Sequence, residues 1–327
     1  MGNTMALQPD PRSSSASVAE SFDHSDTTHK RFKAFWKKFR KNKLAVAGLC
    51  TLLFLSATAI LAPVLSPYDP AGDANDILFV DQAPSLHSTR QAGMDGVERT
   101  YPPNLFGRDE LGRDVFSRCL HAGRISLSIG LISAGIAVVI GTIVGSLAGY
   151  FGGLLDDLLM RFVDAIRAIP TFILLIAIMS TWGGTAVTVM IILGLTSWTG
   201  TSRYVRAEFL SIKEREYVLA AECSGVSHAR IISRHILPNA IGPIIVSATM
   251  GIAGAILSES SLSFFGLGVQ PPTASWGNML MAAQDINTMI NAPWKAIFPG
   301  LLILVTVLSF NFVGDGLRDT FDPKLKD

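Results

Sequence analysis

The chain has 327 residues, of which 49% are hydrophobic and only 16% charged, with a net charge of +1. That balance is too apolar for an average soluble domain. Cys50, Cys119 and Cys223 are far apart in sequence, which points to neither a zinc ligand set nor a disulfide framework.

The first 29 residues are polar and Ser-rich with no apolar core, so they read as a disordered cytoplasmic tail and not as a signal peptide. Residues 30–43, KRFKAFWKKFRKNK, are basic and aromatic and lie directly before a charge-free run at 44–66. Such a cluster places its end of a span in the cytoplasm, with Phe and Trp at the headgroups. Further charge-free runs cover 125–151, 168–202, 236–258 and 296–314. About 20 apolar residues cross a bilayer core as a helix. The run at 168–202 is too long for one helix and has Trp182-Gly183-Gly184 near its middle, so it reads as a hairpin of two. Six spans are expected, in an all-α polytopic membrane protein.

The expected organisation is a tail at 1–29, a basic segment and first span at 30–66, and an extracytoplasmic segment at 67–122. A five-helix core follows at 123–319, carrying a cytoplasmic loop at 208–239, and then a short cytoplasmic tail at 320–327. Within 67–122 the phrase Gly-Arg-Asp occurs twice, at Gly107 and at Gly112. Read from the residues, this is an amphipathic helix against the membrane with its Arg and Asp paired locally. The second span carries Gly141, Gly145 and Gly149, with Ala134 and Gly130 before them, a stripe of small residues suited to close helix packing. Asp164 and Arg167 stand three apart at the start of the third span and could pair on one helical face. Pro170 kinks that span.

The loop at 216–239, EYVLAAECSGVSHARIISRHILPN, is charged and lies between two apolar runs. It reads as a short helix, a break at Gly225, a second helix and a proline stop at Pro238. Small residues Ala220 and Ala221 would let another protein's backbone come close. The spacing of Ala220-Ala221, Gly225 and Leu237-Pro238 resembles the EAA loop in permease subunits of binding-protein-dependent ABC importers. Leu219 stands where that family often has Glu, and His235 where it often has Ile. The segments FGRDELGRDVFSR, SLSFFGLGVQPPTASWG and GDGLRDTFDP resemble the dipeptide, oligopeptide and nickel branch, most nearly its C-type subunit. The resemblance covers roughly residues 31–326.

The fifth span is expected at about 240–261, with Glu259 near its outer end. An ionisable residue at that depth is a candidate for the substrate path or a gate, unless it simply reaches water. Residues 260–281 read as an external re-entrant or amphipathic segment, broken by Pro271-Pro272. The sixth span, about 296–313, is expected to end in water at Gly314-Asp315-Gly316. An intramembrane aspartyl protease fails, because Phe312 occupies the first Gly of its Gly-x-Gly-Asp motif.

No Gly-x4-Gly-Lys-Ser/Thr loop is present, so the chain has no phosphate cradle of that kind. No catalytic residue and no metal ligand set is assigned. The resemblance implies a type I ABC importer permease fold in the bacterial inner membrane, with both termini cytoplasmic. It implies four kinds of partner: a second permease, two ATPase subunits that bind the ATP and magnesium, an extracytoplasmic binding protein and a peptide substrate. Coupling to the ATPases falls to Leu219, Ala220, Ala221, Glu222, Gly225, Leu237 and Pro238, with Glu259 and Asp164 as pathway candidates. The mechanism implied is alternating access. Nickel or a glutathione-like solute fits the same class. An ion-driven secondary transporter would need paired acidic residues deep in the spans, where only Asp164 and Glu259 come close.

Overall fold

The computed structural model describes residues 33, 35–72, 74–93 and 96–321. The tail expected at 1–29, and all but two residues of the one expected at 320–327, lie outside them. The described chain is mostly helical, with one two-stranded sheet.

Helix α1 (Lys43–Ile60) starts where the basic stretch ends, because the Asn42 side chain accepts from the Ala45 N–H at 3.1 Å. A short turn, Ala62–Leu65, follows it. The segment before α2 then holds a 3-10 turn (Ala74–Phe79) and an antiparallel pair, β1 (Thr89–Ala92) with β2 (Glu98–Tyr101). The expected amphipathic helix is absent among the described residues here. Gly107 and Gly112 take φ +75° and +74°, left-handed backbone that no α-helix can run through.

The doubled Gly-Arg-Asp phrase instead forms a tight loop. Arg108 and Asp114 bridge across it through their backbones. Asp109 accepts from Arg113 Nε at 2.8 Å and faces Arg118 Nε at 3.5 Å, so the local pairing is there without the helix. The Arg108 guanidinium donates to the Gly112 carbonyl at 2.8 Å and lies over the rings of Tyr68 and Phe79. Asp114 then caps α2 (Val115–Phe151) by accepting from the Ser117 N–H at 2.7 Å. The second long helix thus begins ten residues before the apolar run at 125.

After α2 come α3 (Gly153–Arg167), α4 (Thr171–Trp182) and α5 (Ala186–Lys213). The turn expected at Trp182-Gly183-Gly184 separates α4 from α5. At 12 residues α4 is about 18 Å long, short of the roughly 30 Å a span needs. It joins α3 at Pro170 through a 72° bend. Two helices complete the loop region and the span after it: α6 (Glu216–Cys223) and the long α7 (His228–Phe264). Short helices α8 (Trp276–Met279) and α9 (Ile286–Asn291) precede α10 (Trp294–Phe321).

Four of these helices, α1, α2, α7 and α10, are long and apolar enough to cross a membrane, and five if the bent α3–α4 pair counts as one. The six expected spans are not reached. The middle of α5 carries Thr196, Ser197, Thr199, Thr201, Ser202 and Arg203, which dilutes its apolar character. Large apolar side chains such as Leu131, Val139, Ile143, Leu301, Leu304 and Leu308 face outward, the inverse of a soluble protein.

Two helix stops read from the sequence are overturned. α10 runs through Gly314-Asp315-Gly316 to Phe321. Gly316 serves close approach: a Cβ there would sit 2.2 Å from Ala45 Cβ and 3.1 Å from Phe39. Pro238 likewise does not end a helix. A π-helical turn at Ile231–Ile236 precedes it, and the chain continues helically to Phe264. A widened turn accommodates a residue with no N–H and a bulky ring.

The small-residue stripe on α2 divides between two neighbours. Added Cβ atoms at Gly141, Gly145 and Gly149 would each strike α5, at Thr201, the Ser202 carbonyl and Phe209. Gly130 faces Ile252 and Ile256 on α7.

Candidate functional site

The loop between α5 and α7 is built from a capped helix and a buried anchor. α6 closes in a Schellman motif: Val226 N–H donates to the Ala221 carbonyl at 3.2 Å, and Gly225 N–H to the Glu222 carbonyl at 3.0 Å. That closure needs the left-handed backbone, and Gly225 has φ +75°. The break expected at Gly225 is therefore a defined turn. Three aliphatic residues of the loop point inward. Val218, Ile231 and Ile236 are at most 1% exposed and join Tyr150 of α2, Val205, Phe209 and Ile212 of α5, and Ala240 and Ile244 of α7 in one cluster.

The residues singled out from the sequence divide between two directions. Leu219, Ala220, Glu222, Gly225 and Pro238 are exposed. Ala221 and Leu237 are half-buried and pack on the cluster. The exposed set puts small and apolar surface on the outer side of α6, whose inner side sends Val218 and Ala221 into that shared cluster.

Polar contacts brace the same joint. Tyr150 Oη and His228 Nδ1 are 2.7 Å apart, and Lys213 Nζ donates to the Tyr150 carbonyl at 2.7 Å. Arg206 of α5 grips Asp156 of α3 with two parallel hydrogen bonds. None of these pairings is legible in sequence. Tyr150 and His228 are 78 residues apart.

Glu259 is fully buried, so it does not reach water. Its Oε1 accepts from the hydroxyls of Ser263 and Ser275, both at 2.7 Å, and Ser126 of α2 also hydrogen-bonds it. Each serine has a second task. Ser263 accepts from the Val269 N–H, Ser275 from the Asn278 N–H, and Ser126 from the Trp276 N–H. Glu259 is thus the hub that ties the segment after α7 to both α7 and α2. Trp276, 2% exposed, seals the site, its indole N–H donating to the Cys119 carbonyl at 2.9 Å.

Asp164 does not pair with Arg167. It is half exposed and pairs with Arg203 of α5, because α3 lies along α5 and presents Asp164 across the seam. Asp164 and Glu259 stand toward opposite ends of α2: Ser126 marks one level and Gly145, against Ser202, the other. Nineteen helical residues separate those levels by about 28 Å. The two acids do not form the paired set an ion-driven carrier requires.

Long helices with apolar outward faces, a charged loop keyed into three of them and a segment after α7 sealed by Trp276 fit a membrane permease subunit. The chain belongs to the family described as binding-protein-dependent transport system inner membrane component, which it matches over residues 141–327. Residues 30–85 match the N-terminal TM domain of oligopeptide transport permease C. It is 41% identical over 295 residues to a dipeptide transport system permease protein of Bacillus subtilis (strain 168), covering 89% of this chain and 85% of that one. To an oligopeptide transport system permease protein of the same organism it is 36% identical over 324 residues, covering 98% and 100%. A glutathione transport system permease protein of Escherichia coli O6:K15:H31 is 41% identical over 292 residues, covering 89% and 90%.

Proposed function

We propose that this chain is one of two permease subunits in an ATP-driven importer of dipeptides or oligopeptides. It works by alternating access and takes its energy from separate ATPase subunits that dock on the outer side of α6. Leu219, Ala220 and Glu222 form the contact, and Gly225 fixes the helix end behind them. One observation carries this reading: α6 exposes those residues while its buried Val218 enters the cluster in which Ile231 and Ile236 of α7 meet Tyr150 of α2 and Phe209 of α5. A push on α6 therefore reaches three long helices as a rigid displacement.

The topology belongs to the same proposal. α5 serves as a span beside the bent α3–α4 pair, which gives six. The basic stretch and the loop share one end of the bundle, since Phe35 packs on Phe321 and Phe321 covers Gly242, one turn past Pro238 in α7. That end, with both termini, lies in the cytoplasm by the positive-inside bias. Glu259 holds the outer segment in shape where a peptide-loaded binding protein would dock, and Asp164 steadies α3 against α5. The glutathione permease among the relatives favours a second solute class, small γ-linked peptides.

The test is uptake of labelled dipeptide into proteoliposomes holding the whole complex, its binding protein and internal ATP. Ala220→Arg is expected to release the ATPases and stop uptake while the permeases still insert. ATP-independent uptake, or full coupling in Ala220→Arg, would overturn the proposal.

A further inference from the structure

A second feature, independent of transport, lies at the start of the described chain. Lys33, Trp36, Lys37 and Arg40 follow the i, i+3, i+4, i+7 spacing of a single helical face. All four are exposed, and together they line one open concavity of about 380 Å³. No Asp or Glu occurs anywhere in residues 27–68. Among the described residues, Lys33, Lys37 and Arg40 have no ion-pair partner. Three cations and an indole are thus presented with no acidic side chain paired to them among the described residues.

The face is held in place. The other side of the same segment is docked on the end of α10: Phe39 is 3% exposed against Gly316, and the Phe35 ring lies 5.3 Å from Phe321. Lys38 Nζ donates to the Thr320 carbonyl at 3.3 Å, and Asn42 Nδ2 to Asp319 at 3.2 Å. Only Lys41 and Asn42 separate Arg40 from α1, whose outward residues Leu44, Leu53 and Phe54 face lipid. Arg40 therefore stands about one helical turn from the hydrocarbon edge, the depth of phosphate groups. An exposed Trp among cations at that depth suits a headgroup layer, where the ring is half apolar and its N–H stays wet.

We propose that Lys33, Trp36, Lys37 and Arg40 form a binding site for an anionic phospholipid headgroup in the leaflet at the coupling-loop end of the bundle. Arg40 supplies a two-pronged donor for the phosphate, the lysines supply point charges, and Trp36 packs on the glycerol region. A protein ligand such as an ATPase subunit is the competing occupant. The continuity of this face with the lipid-facing side of α1 selects the lipid.

The experiment uses the full chain in detergent, titrated with phosphatidylglycerol or phosphatidylcholine, with bound lipid counted by native mass spectrometry. Wild type is expected to retain phosphatidylglycerol and not phosphatidylcholine, and 20 mM inorganic phosphate (~ tenfold over a weak site) should fail to displace it. The triple variant Lys33→Gln, Lys37→Gln, Arg40→Gln should bind it on the order of a hundredfold more weakly, about fivefold per cation. All three side chains are exposed, so the variant should melt with wild type. Equal phosphatidylglycerol retention in the triple variant would overturn the site. Displacement by phosphate would overturn the lipid as its ligand. Loss of co-purifying ATPase with unchanged lipid retention would assign the face to a protein instead.

Discussion

Replacing Gly145 with alanine tests whether the seam between α2 and α5 holds the subunit together. The new Cβ would lie 2.4 Å from the Ser202 carbonyl oxygen, 2.8 Å from Val205 Cβ and 3.0 Å from Arg206 N. Two of those three are backbone atoms, which cannot swing aside. Ordinary contact begins at 3.4 Å, so α5 must retreat by about 1 Å at this level (3.4 − 2.4). Gly141 and Gly149, one turn to either side, are packed as tightly, so the retreat cannot stay local. Overpacking of this kind costs about 1–3 kcal/mol, and a 1 Å gap forfeits up to roughly half the dispersion energy of each separated contact. Better helix propensity returns about 1 kcal/mol, leaving a net loss of about 2. Gly135, on the same helix, has nothing within 4 Å of an added Cβ, so Gly135→Ala keeps only the gain. The two variants should therefore differ by about 3 kcal/mol. Thermal unfolding can be followed by labelling of Cys119, which is 3% exposed, in a Cys50→Ser, Cys223→Ser background. Gly145→Ala should melt several degrees below wild type and Gly135→Ala at or above it. Because Phe209 and Ile212 carry the same seam into the loop anchor, Gly145→Ala should also lose uptake. If the two alanines melt alike, the glycines do not set the helix distance and the reasoning is wrong.

Other substitutions probe the loop and the outer segment. Gly225→Ala forces a side chain into the left-handed region at about 1–2 kcal/mol and should reduce uptake. Gly225→Pro cannot adopt φ +75° and loses the bond to Glu222, so uptake should vanish with membrane insertion intact; normal transport by the proline variant would show that this turn is dispensable. Glu259→Gln keeps one carbonyl oxygen for Ser263 and Ser275 and should unfold within about 1 kcal/mol of wild type, with a small, substrate-dependent change in uptake. Glu259→Leu orphans both hydroxyls at about 1–3 kcal/mol each, and equal melting of the two variants would remove Glu259 as a hub. Lys295→Met strips Asp81 and Glu110 of a partner that is itself 3% exposed. Both acids can still reach water, so the cost should stay near 1–3 kcal/mol; no change in melting would make the triad incidental.

Legibility in the sequence followed the range of the forces involved. Apolar runs marked α1, α2, α7 and α10 because crossing a membrane needs an unbroken stretch, which leaves a local trace. The turn at Gly183-Gly184 was equally local. α5 was harder to place by composition, since Thr201 and Ser202 pack against Gly141 and Gly145 rather than face lipid, and a helix-facing hydroxyl looks the same in sequence as a wet one. The glycines at 314 and 316 misled for a related reason. Gly316 admits Ala45 and Phe39, a partner more than 260 residues away, and nothing nearby in sequence distinguishes that from a helix stop. Asp164 illustrates the same limit. Arg167 was the neighbour one could see, and Arg203 the one the α3–α5 crossing supplied.

The loop motif itself conceals a division of labour. Its recognisable letters, Ala220, Gly225 and Pro238, face outward or shape the backbone, whereas Val218, Ile231 and Ile236 carry the load inward. Those three were legible in principle, as fully apolar β-branched residues inside a stretch otherwise rich in charge. A surface loop has no reason to hold them unless it is anchored. Without the anchor, α6 would be a two-turn helix, too short to persist on its own, and a partner pressing on it would only melt it. With the anchor, the same force must move α2, α5 and α7 together. Coupling strength should therefore track the inward residues more than the contact surface. Ile231→Ala removes a fully buried side chain from the centre of that joint at about 2–4 kcal/mol. The ATPases should still bind such a variant and hydrolyse ATP, since Leu219, Ala220 and Glu222 are untouched, while transport per ATP falls. Proportional loss of binding and transport in Ile231→Ala would place the coupling in the surface contact alone.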